Sequence, residues 1–255
     1  MYGMPAEIEV SAAGSLRIIR LNRPEALNAV NDALHRGLAR LWPRLSEDRD
    51  ARAAVLTGNG KAFSAGGDFT YLEELRTDRE LRAQSIADGR DLVLNMARCR
   101  VPVIAAVNGP AVGLGCSLVA LSDVVYMAEA AHLADPHVQV GLVAADGGPL
   151  TWPLHTSLHL AKEYAFSGSR ISPQRALEMG LANHVVTDPV AEALACAKRI
   201  ACLPRQAVET TERLLNLQLE RSILATLDFA TTAEYQSFET DEFRTTLEKL
   251  RAGKG

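Results

Sequence analysis

Cysteine is scarce in this sequence, and no two cysteines form a C-x-x-C pair: Cys99, Cys116, Cys196 and Cys202 stand apart in apolar or helical settings. That spacing argues against a disulfide scaffold or a zinc ribbon and reads as reduced thiols in a cytoplasmic protein. A strong charge of either sign is also lacking. The net charge of −4 offers no concentrated basic field of the kind that phosphate backbones require, so a nucleic-acid surface is not expected. The short basic cluster of Arg98 and Arg100 closes a helical pattern, where cations complement the helix dipole. Residues 1–10 lack the basic-then-apolar order of a secretion signal. Residues 101–122 carry no charge, but Asn108, Gly109 and Pro110 interrupt them and Gly113 and Gly115 follow. A buried strand, a tight turn and a buried helix fit that run better than a membrane span. With 47% hydrophobic and 23% charged residues, the chain has the balance of a soluble globular protein. Its 255 residues suffice for one large domain or a domain with a helical appendage.

The apolar pattern alternates between two periods. Short strands are expected at residues 7–10 and 16–21, joined by a turn at Ala13-Gly14, then a helix over 31–45 with Leu34, Leu38, Leu41 and Leu45 on one stripe. Residues 53–57 form an apolar run ending at Gly58, typical of a buried strand. A glycine-rich loop to Asp68 and an amphipathic helix over 78–98 follow. The unit then repeats as strand 103–107, glycine-rich turn, helix to about Leu121 and strand 123–127. This alternation predicts an α/β fold with parallel strands and helical crossovers. Beyond residue 150 the expectation is almost wholly helical. Ser172-Pro173 starts one helix and Gly180 stops it, and further helices are expected near 189–202, 204–219, 222–236 and 240–252. The division expected is an α/β core over 1–185 and a helical region over 186–255.

Two turns stand out. Gly58-Asn59-Gly60-Lys61-Ala62-Phe63-Ser64-Ala65-Gly66-Gly67-Asp68 and Asn108-Gly109-Pro110-Ala111-Val112-Gly113-Leu114-Gly115 each follow a buried strand. Small residues let backbone N–H groups approach a ligand closely, which suits an oxygen that becomes negative during reaction. Either turn alone is equally a tight strand-to-helix connection. A dinucleotide fingerprint at Gly113-x-Gly115 fails because its third glycine would fall on Leu118, and no Gly-Lys pair follows there to make a phosphate loop.

Taken in order, Arg23-Pro24-Glu25-Ala26-Leu27-Asn28-Ala29, the two turns, Phe166-Ser167-Gly168-Ser169-Arg170-Ile171-Ser172, the stretch from Ala176 to Gly180-Leu181-Ala182 and the terminal Phe243-Arg244 helix resemble the crotonase (enoyl-CoA hydratase/isomerase) superfamily. The resemblance covers nearly the whole chain. It implies a spiral of ββα turns with a C-terminal helical trimerisation region, often as a dimer of trimers. It implies an acyl-CoA thioester substrate, with coenzyme A as part of that substrate and no permanently bound cofactor. Carried over by position, the oxyanion-hole donors are the N–H groups of Gly67 and Leu114. Ala26, Ala62, Ser64, Ala65, Gly66 and Asp68 line the coenzyme path, and Phe238 and Lys254 approach it from the C-terminal helices of the same or a neighbouring subunit. Thr245-Thr246 departs from the family's F-R-E-G ending.

Two glutamates of the family's hydratases are missing: their positions fall on Ser117 and His137. Hydration needs one group to activate water and another to deliver a proton, so a plain hydratase mechanism is in doubt. His137 is a candidate general acid or base, and equally a structural histidine held by backbone. Asp146 lies near an aspartate that some family members use, and equally suits the N-cap of a helix starting near Gly147. Ser117, His137 and Asp146 also admit a hydrolytic triad, against which Ser117 sits in a helix rather than on a strained elbow. His132, Asp135 and His137 match no metal-ligand spacing, and Glu73 and Glu74 read as a solvated helix face. The expectation is an enoyl-CoA hydratase/isomerase-like enzyme that stabilises a thioester enolate, with His137 or Asp146 moving the proton. An acyl-CoA hydrolase or decarboxylase on the same scaffold, and a non-catalytic CoA-ester-binding or RNA-associated protein, are the alternatives.

Overall fold

The computed structural model describes residues 2–252. Strands β1 (Ile8–Ala13), β2 (Leu16–Leu21), β3 (Ala53–Gly58), β4 (Val103–Val107), β6 (Val124–Ala128) and β8 (His184–Val186) form one sheet in the order β1-β2-β3-β4-β6-β8. Only the β1–β2 hairpin is antiparallel; every later pair is parallel. A second, two-stranded parallel sheet joins β5 (Ala111–Val112) to β7 (Leu133–Ala134).

Side chains alternate across a strand, so the main sheet has two buried faces. Ile19, Leu21, Ala54, Leu56, Ala105, Val107 and Met127 join a large core with helices α1 (Asp32–Glu47) and α3 (Arg79–Ala97). Leu16, Ala53, Val55, Ile104, Ala106 and Tyr126 face the other way and meet Ala193, Cys196 and Ala197 of α9 (Pro189–Ala201). Helix α1 begins where the Asn31 side chain accepts from Leu34 N–H at 2.9 Å. Pro43 inside α1 leaves the Ala39 carbonyl without its helical donor, and Asn95 Nδ2 donates to it at 3.3 Å.

Three elements differ from the sequence expectation. Phe69–Thr77 forms a separate helix, α2, started by Asp68, whose side chain accepts from Thr70 N–H. His184–Val186 pairs with β6 and so interrupts the helical half with a strand. The two helices expected over 204–236 are one 33-residue helix, α10 (Arg205–Ser237). Ser222 does not break it, because one buried stripe runs through Glu212, Asn216, Glu220, Ile223, Leu227 and Thr231. Glu220, on that stripe, accepts from Arg98 and pairs with Arg213, each at 2.7 Å. The remaining elements are α4 (Leu114–Ala120), α5 (His137–Val140), α6 (Gly148–His155), α7 (Leu158–Ser167), α8 (Pro173–Met179) and α11 (Asp241–Ala252).

The α10 stripe carries a charge burden away from any cavity. Burial and the neighbouring Asp123 push the Glu212 carboxyl up to about 9, against an ordinary value of 4.5. The folded chain thus keeps a proton that the unfolded chain releases. Stability from this group is complete below about 4.5 and declines as pH rises toward about 9. Glu212→Gln, whose amide can donate to Asp123 without titrating, is expected to stabilise the protein at pH 8 by on the order of 2 kcal/mol. The gain should fade at pH 5; equal thermal shifts at both pH values would contradict this account.

Candidate active site

The two glycine-rich turns are joined to each other. Phe63 and Ser64 N–H both donate to the Pro110 carbonyl, at 3.1 and 3.0 Å, and Val112 N–H donates to Ser64 O at 2.9 Å. Asn28, buried and with φ of 56°, braces the first turn by donating to Asn59 O and Ala62 O, each at 2.9 Å. Asn108 braces the strand ends by accepting from Gly58 N–H and Thr57 Oγ1, each at 3.1 Å.

Gly66 and Gly113 have φ of 85° and 52°, a region that favours glycine, and each immediately precedes one of the residues expected to donate. The turns touch there: a Cβ on Gly66 would lie 3.1 Å from Val112 O, and one on Gly113 would lie 3.6 Å from Gly66 Cα. Gly66 O accepts from Val30 N–H and Val30 O from Asp68 N–H, which leaves the Gly67 N–H outside that ladder. Leu114 is the first residue of α4, so its N–H has no acceptor within the helix. Among the described residues neither N–H donates to a backbone carbonyl, and Gly67 and Leu114 line the same cavity of about 330 Å³.

His137, Asp146, Phe238 and Glu234 line that cavity too. His137 Nδ1 is hydrogen-bonded to Asp135 Oδ1, so a carboxylate rather than backbone holds the ring. Nε2 lies 3.9 Å from Asp146 Oδ1. Burial alone would lower the His137 pKa, but Asp135, Asp146 and Glu234 outweigh it and raise it to about 10. Asp146 does not cap α6: Gly147 occupies the N-cap position without a side-chain bond. Instead Asp146 Oδ1 lies 3.1 Å from Ser117 Oγ, a hydroxyl also 3.2 Å from Gly113 O. Gly147 and Gly148 make this seat, since a Cβ on either would fall 1.8 Å from Ser117 Oγ or 2.2 Å from Asp135 Oδ2. A hydrolytic triad needs the imidazole between hydroxyl and carboxylate. Here the carboxylate stands between hydroxyl and imidazole, and Ser117 is only 1% exposed.

Glu234 was not anticipated. It extends the α10 stripe three residues beyond Thr231, so an acid at an otherwise inward-facing position was the signal that could have found it. Burial, together with Asp146 and Asp135, pushes its carboxyl up to about 8 despite the opposing charge of His137.

Ala26, Ala65 and Asp68 line a second hollow of about 530 Å³ that shares Ala65, Gly67 and Phe69 with the first. Asp68 pairs with Arg23 at 3.1 Å. Ala62 and Ser64 line neither hollow: both are buried, and Ser64 Oγ donates to Asn28 O at 2.8 Å. Their side chains pack the turn. Phe238 meets Phe243 edge-on at 5.1 Å. Lys254 lies outside the described residues. Glu73 pairs with Arg76, and neither it nor Glu74 reaches either hollow.

The sequence matches the enoyl-CoA hydratase/isomerase family model over residues 11–252. It is 32% identical over 227 residues to the mitochondrial enoyl-CoA hydratase of Pongo abelii, covering 88% of this chain and 77% of that protein. It is 29% identical over 232 residues to the short-chain-enoyl-CoA hydratase of Clostridium acetobutylicum, covering 90% and 88% respectively. A solved enoyl-CoA hydratase/isomerase from Mycobacterium paratuberculosis superposes with a TM-score of 0.96 at 71% identity, over 97% of this chain and all of that one. With the paired turns, the parallel sheet and this match along the chain, the protein has the crotonase fold and belongs to the enoyl-CoA hydratase/isomerase family of enzymes.

Proposed function

We propose that this enzyme moves a proton on a CoA thioester through an enolate, using Asp146 and Glu234 in place of the two glutamates of the family's hydratases. The observation that carries this reading is the pairing of two backbone N–H groups without backbone acceptors and two carboxyls in one cavity. The thioester oxygen takes up negative charge as a proton leaves carbon, and the Gly67 and Leu114 N–H groups stabilise it. A preorganised donor of this kind contributes about 3–4 kcal/mol in the transition state. Ser117 and His137 bracket Asp146 Oδ1 and orient it as the acceptor. Glu234, with its carboxyl pushed up to about 8, holds a proton at neutral pH and returns it. This division of roles, one carboxyl accepting and one donating, serves double-bond isomerisation and hydration alike.

Coenzyme A occupies the hollow lined by Ala26, Ala65 and Asp68 in this reading, with no permanent cofactor. The C-terminal helices assemble the chain into trimers. In support, Phe229 is 80% exposed, and Leu214, Leu215 and Leu224 are also exposed along α10, with Phe166 on α7. The four cysteines are free, which supports a reducing, cytoplasmic setting. Among the described residues no helix is long and apolar enough to cross a membrane.

A panel of acyl-CoA esters analysed by mass spectrometry and NMR tests the chemistry. A shifted double bond or an added water is the expected product. Free CoA would indicate hydrolysis and CO₂ loss decarboxylation; tight ester binding with no product would defeat the enzymatic reading. Sedimentation of the same sample should give the mass of three or six chains, and a monomer would refute the assembly.

A further inference from the structure

The far wall of the first cavity is polar without having a role in proton transfer. His35 of α1, Tyr71 of α2, and Ser85 and Gly89 of α3 line it beside the apolar Leu72, Leu75 and Ile86. His35 Nδ1 lies 3.4 Å from Ser85 Oγ, which occupies one ring nitrogen. The other, Nε2, lies toward Gly89: a Cβ there would meet Nε2 at 3.6 Å and, apart from the same ring, nothing within 4 Å. Tyr71 is 5% exposed, its ring centroid is 6.4 Å from that of His35, and its buried hydroxyl lies against the Ser85 hydroxyl without a well-aligned hydrogen bond. A pocket for a plain hydrocarbon chain gains nothing from a buried imidazole and a phenol that share one poorly aligned serine hydroxyl, since each costs desolvation that only good hydrogen bonds offset.

We propose that the acyl group accepted here carries an uncharged oxygen function, a hydroxyl or carbonyl beyond the reacting carbons, bound by His35 and Tyr71. This rests on the CoA-thioester reading above and names its substrate class. An uncharged group is specified because, among the described residues, no lysine or arginine lines the cavity, whereas Asp146 and Glu234 do. Burial holds the His35 pKa below its ordinary value, so the ring meets its ligand as a neutral donor or acceptor rather than as a cation. Gly89 leaves the space beside Nε2 that the oxygen would fill.

The test compares matched CoA esters of equal chain length, with hydroxyl or keto groups at successive positions along the chain and with a plain hydrocarbon counterpart. Binding of saturated esters is measured by calorimetry and kcat/KM of the unsaturated ones by product formation. The wild-type enzyme should favour one oxygenated position over its plain counterpart by about 10²-fold or more. That ratio should fall at least tenfold in Tyr71→Phe and in Gly89→Ala, the second of which adds one methyl inside a helix and keeps the fold. Plain enoyl esters turned over at least as well as every oxygenated one would overturn the inference and leave the proton-transfer reading standing. A preference that survives in both variants would overturn the assignment to this wall. Selective binding of an oxygenated ester without turnover would support the inference while refuting the catalytic reading. No binding of any CoA ester would refute both.

Discussion

Asp146→Asn is expected to lower kcat by about 10²-fold or more on whichever CoA ester the enzyme transforms, with ester affinity changed far less. Asparagine preserves the shape of the seat made by Gly147 and Gly148 and can still accept from Ser117. What it removes is the basic oxygen. His137→Ala should also reduce turnover, for another reason. His137 is charged at neutral pH, its pKa raised to about 10, and it faces the carboxyls of both Asp146 and Glu234.

The pH profile separates these roles. In the proposed mechanism Glu234 donates only while protonated, so kcat should decline as pH rises through about 8. Glu234→Gln should abolish that limb together with most of the rate. His137→Ala should move the limb upward, because His137 opposes the rise in the Glu234 pKa. These are properties of an interacting cluster, and the measured limb belongs to the set of groups rather than to one. A wild-type profile flat from pH 6 to 9, or an Asp146→Asn enzyme within threefold of wild type, would return both carboxyls to a structural role.

Gly113→Ala should lower kcat/KM by roughly 10²–10³-fold, the loss typical of one oxyanion donor. Only proline deletes a backbone N–H, and at position 114 it would also remove the buried leucine side chain, so the donor is better misaimed from the preceding glycine. Gly113 has φ of 52° and ψ of −124°, a conformation that side-chain-bearing residues avoid. Space is not the obstacle: the nearest atoms to an added Cβ, Gly66 Cα and His137 Cε1, are both at 3.6 Å. Relief of the strain must therefore rotate the backbone next to the Leu114 N–H. Gly14→Ala supplies the control, with φ of 63° and nothing within 4 Å of an added Cβ, in the β1–β2 turn. Both variants should lose a little thermal stability, and only Gly113→Ala should lose activity. Equal activities would show that the Leu114 N–H is not a catalytic donor.

Several elements of the fold were legible because their cause is local. The Leu34, Leu38, Leu41 and Leu45 stripe specifies α1, and apolar runs ending in glycine specify β3. Ser172-Pro173 and Gly180 bracket α8 by side-chain capping and a left-handed stop. The short strand His184–Val186 was not legible, because three residues carry little periodic signal and their pairing partner lies more than fifty residues away. The continuity of α10 was hidden for a similar reason: Ser222 resembles a cap until the surface of α3 supplies a buried partner for the stripe on both sides of it.

By itself the sequence determined the two turns and their glycines, since left-handed backbone at Gly66 and Gly113 is a property of residue type. It also exposed the absence of glutamate at Ser117 and His137. Which residues take their place in the proposed mechanism follows from the packing alone. Asp146 and Glu234 come from separate segments and line a shared cavity, and Asp146 and Asp135 act on the Glu234 carboxyl through space. No spacing along the chain encodes that Asp146 stands between Ser117 and His137, or that an acid from α10 arrives beside them, because both facts depend on how helices pack against the sheet.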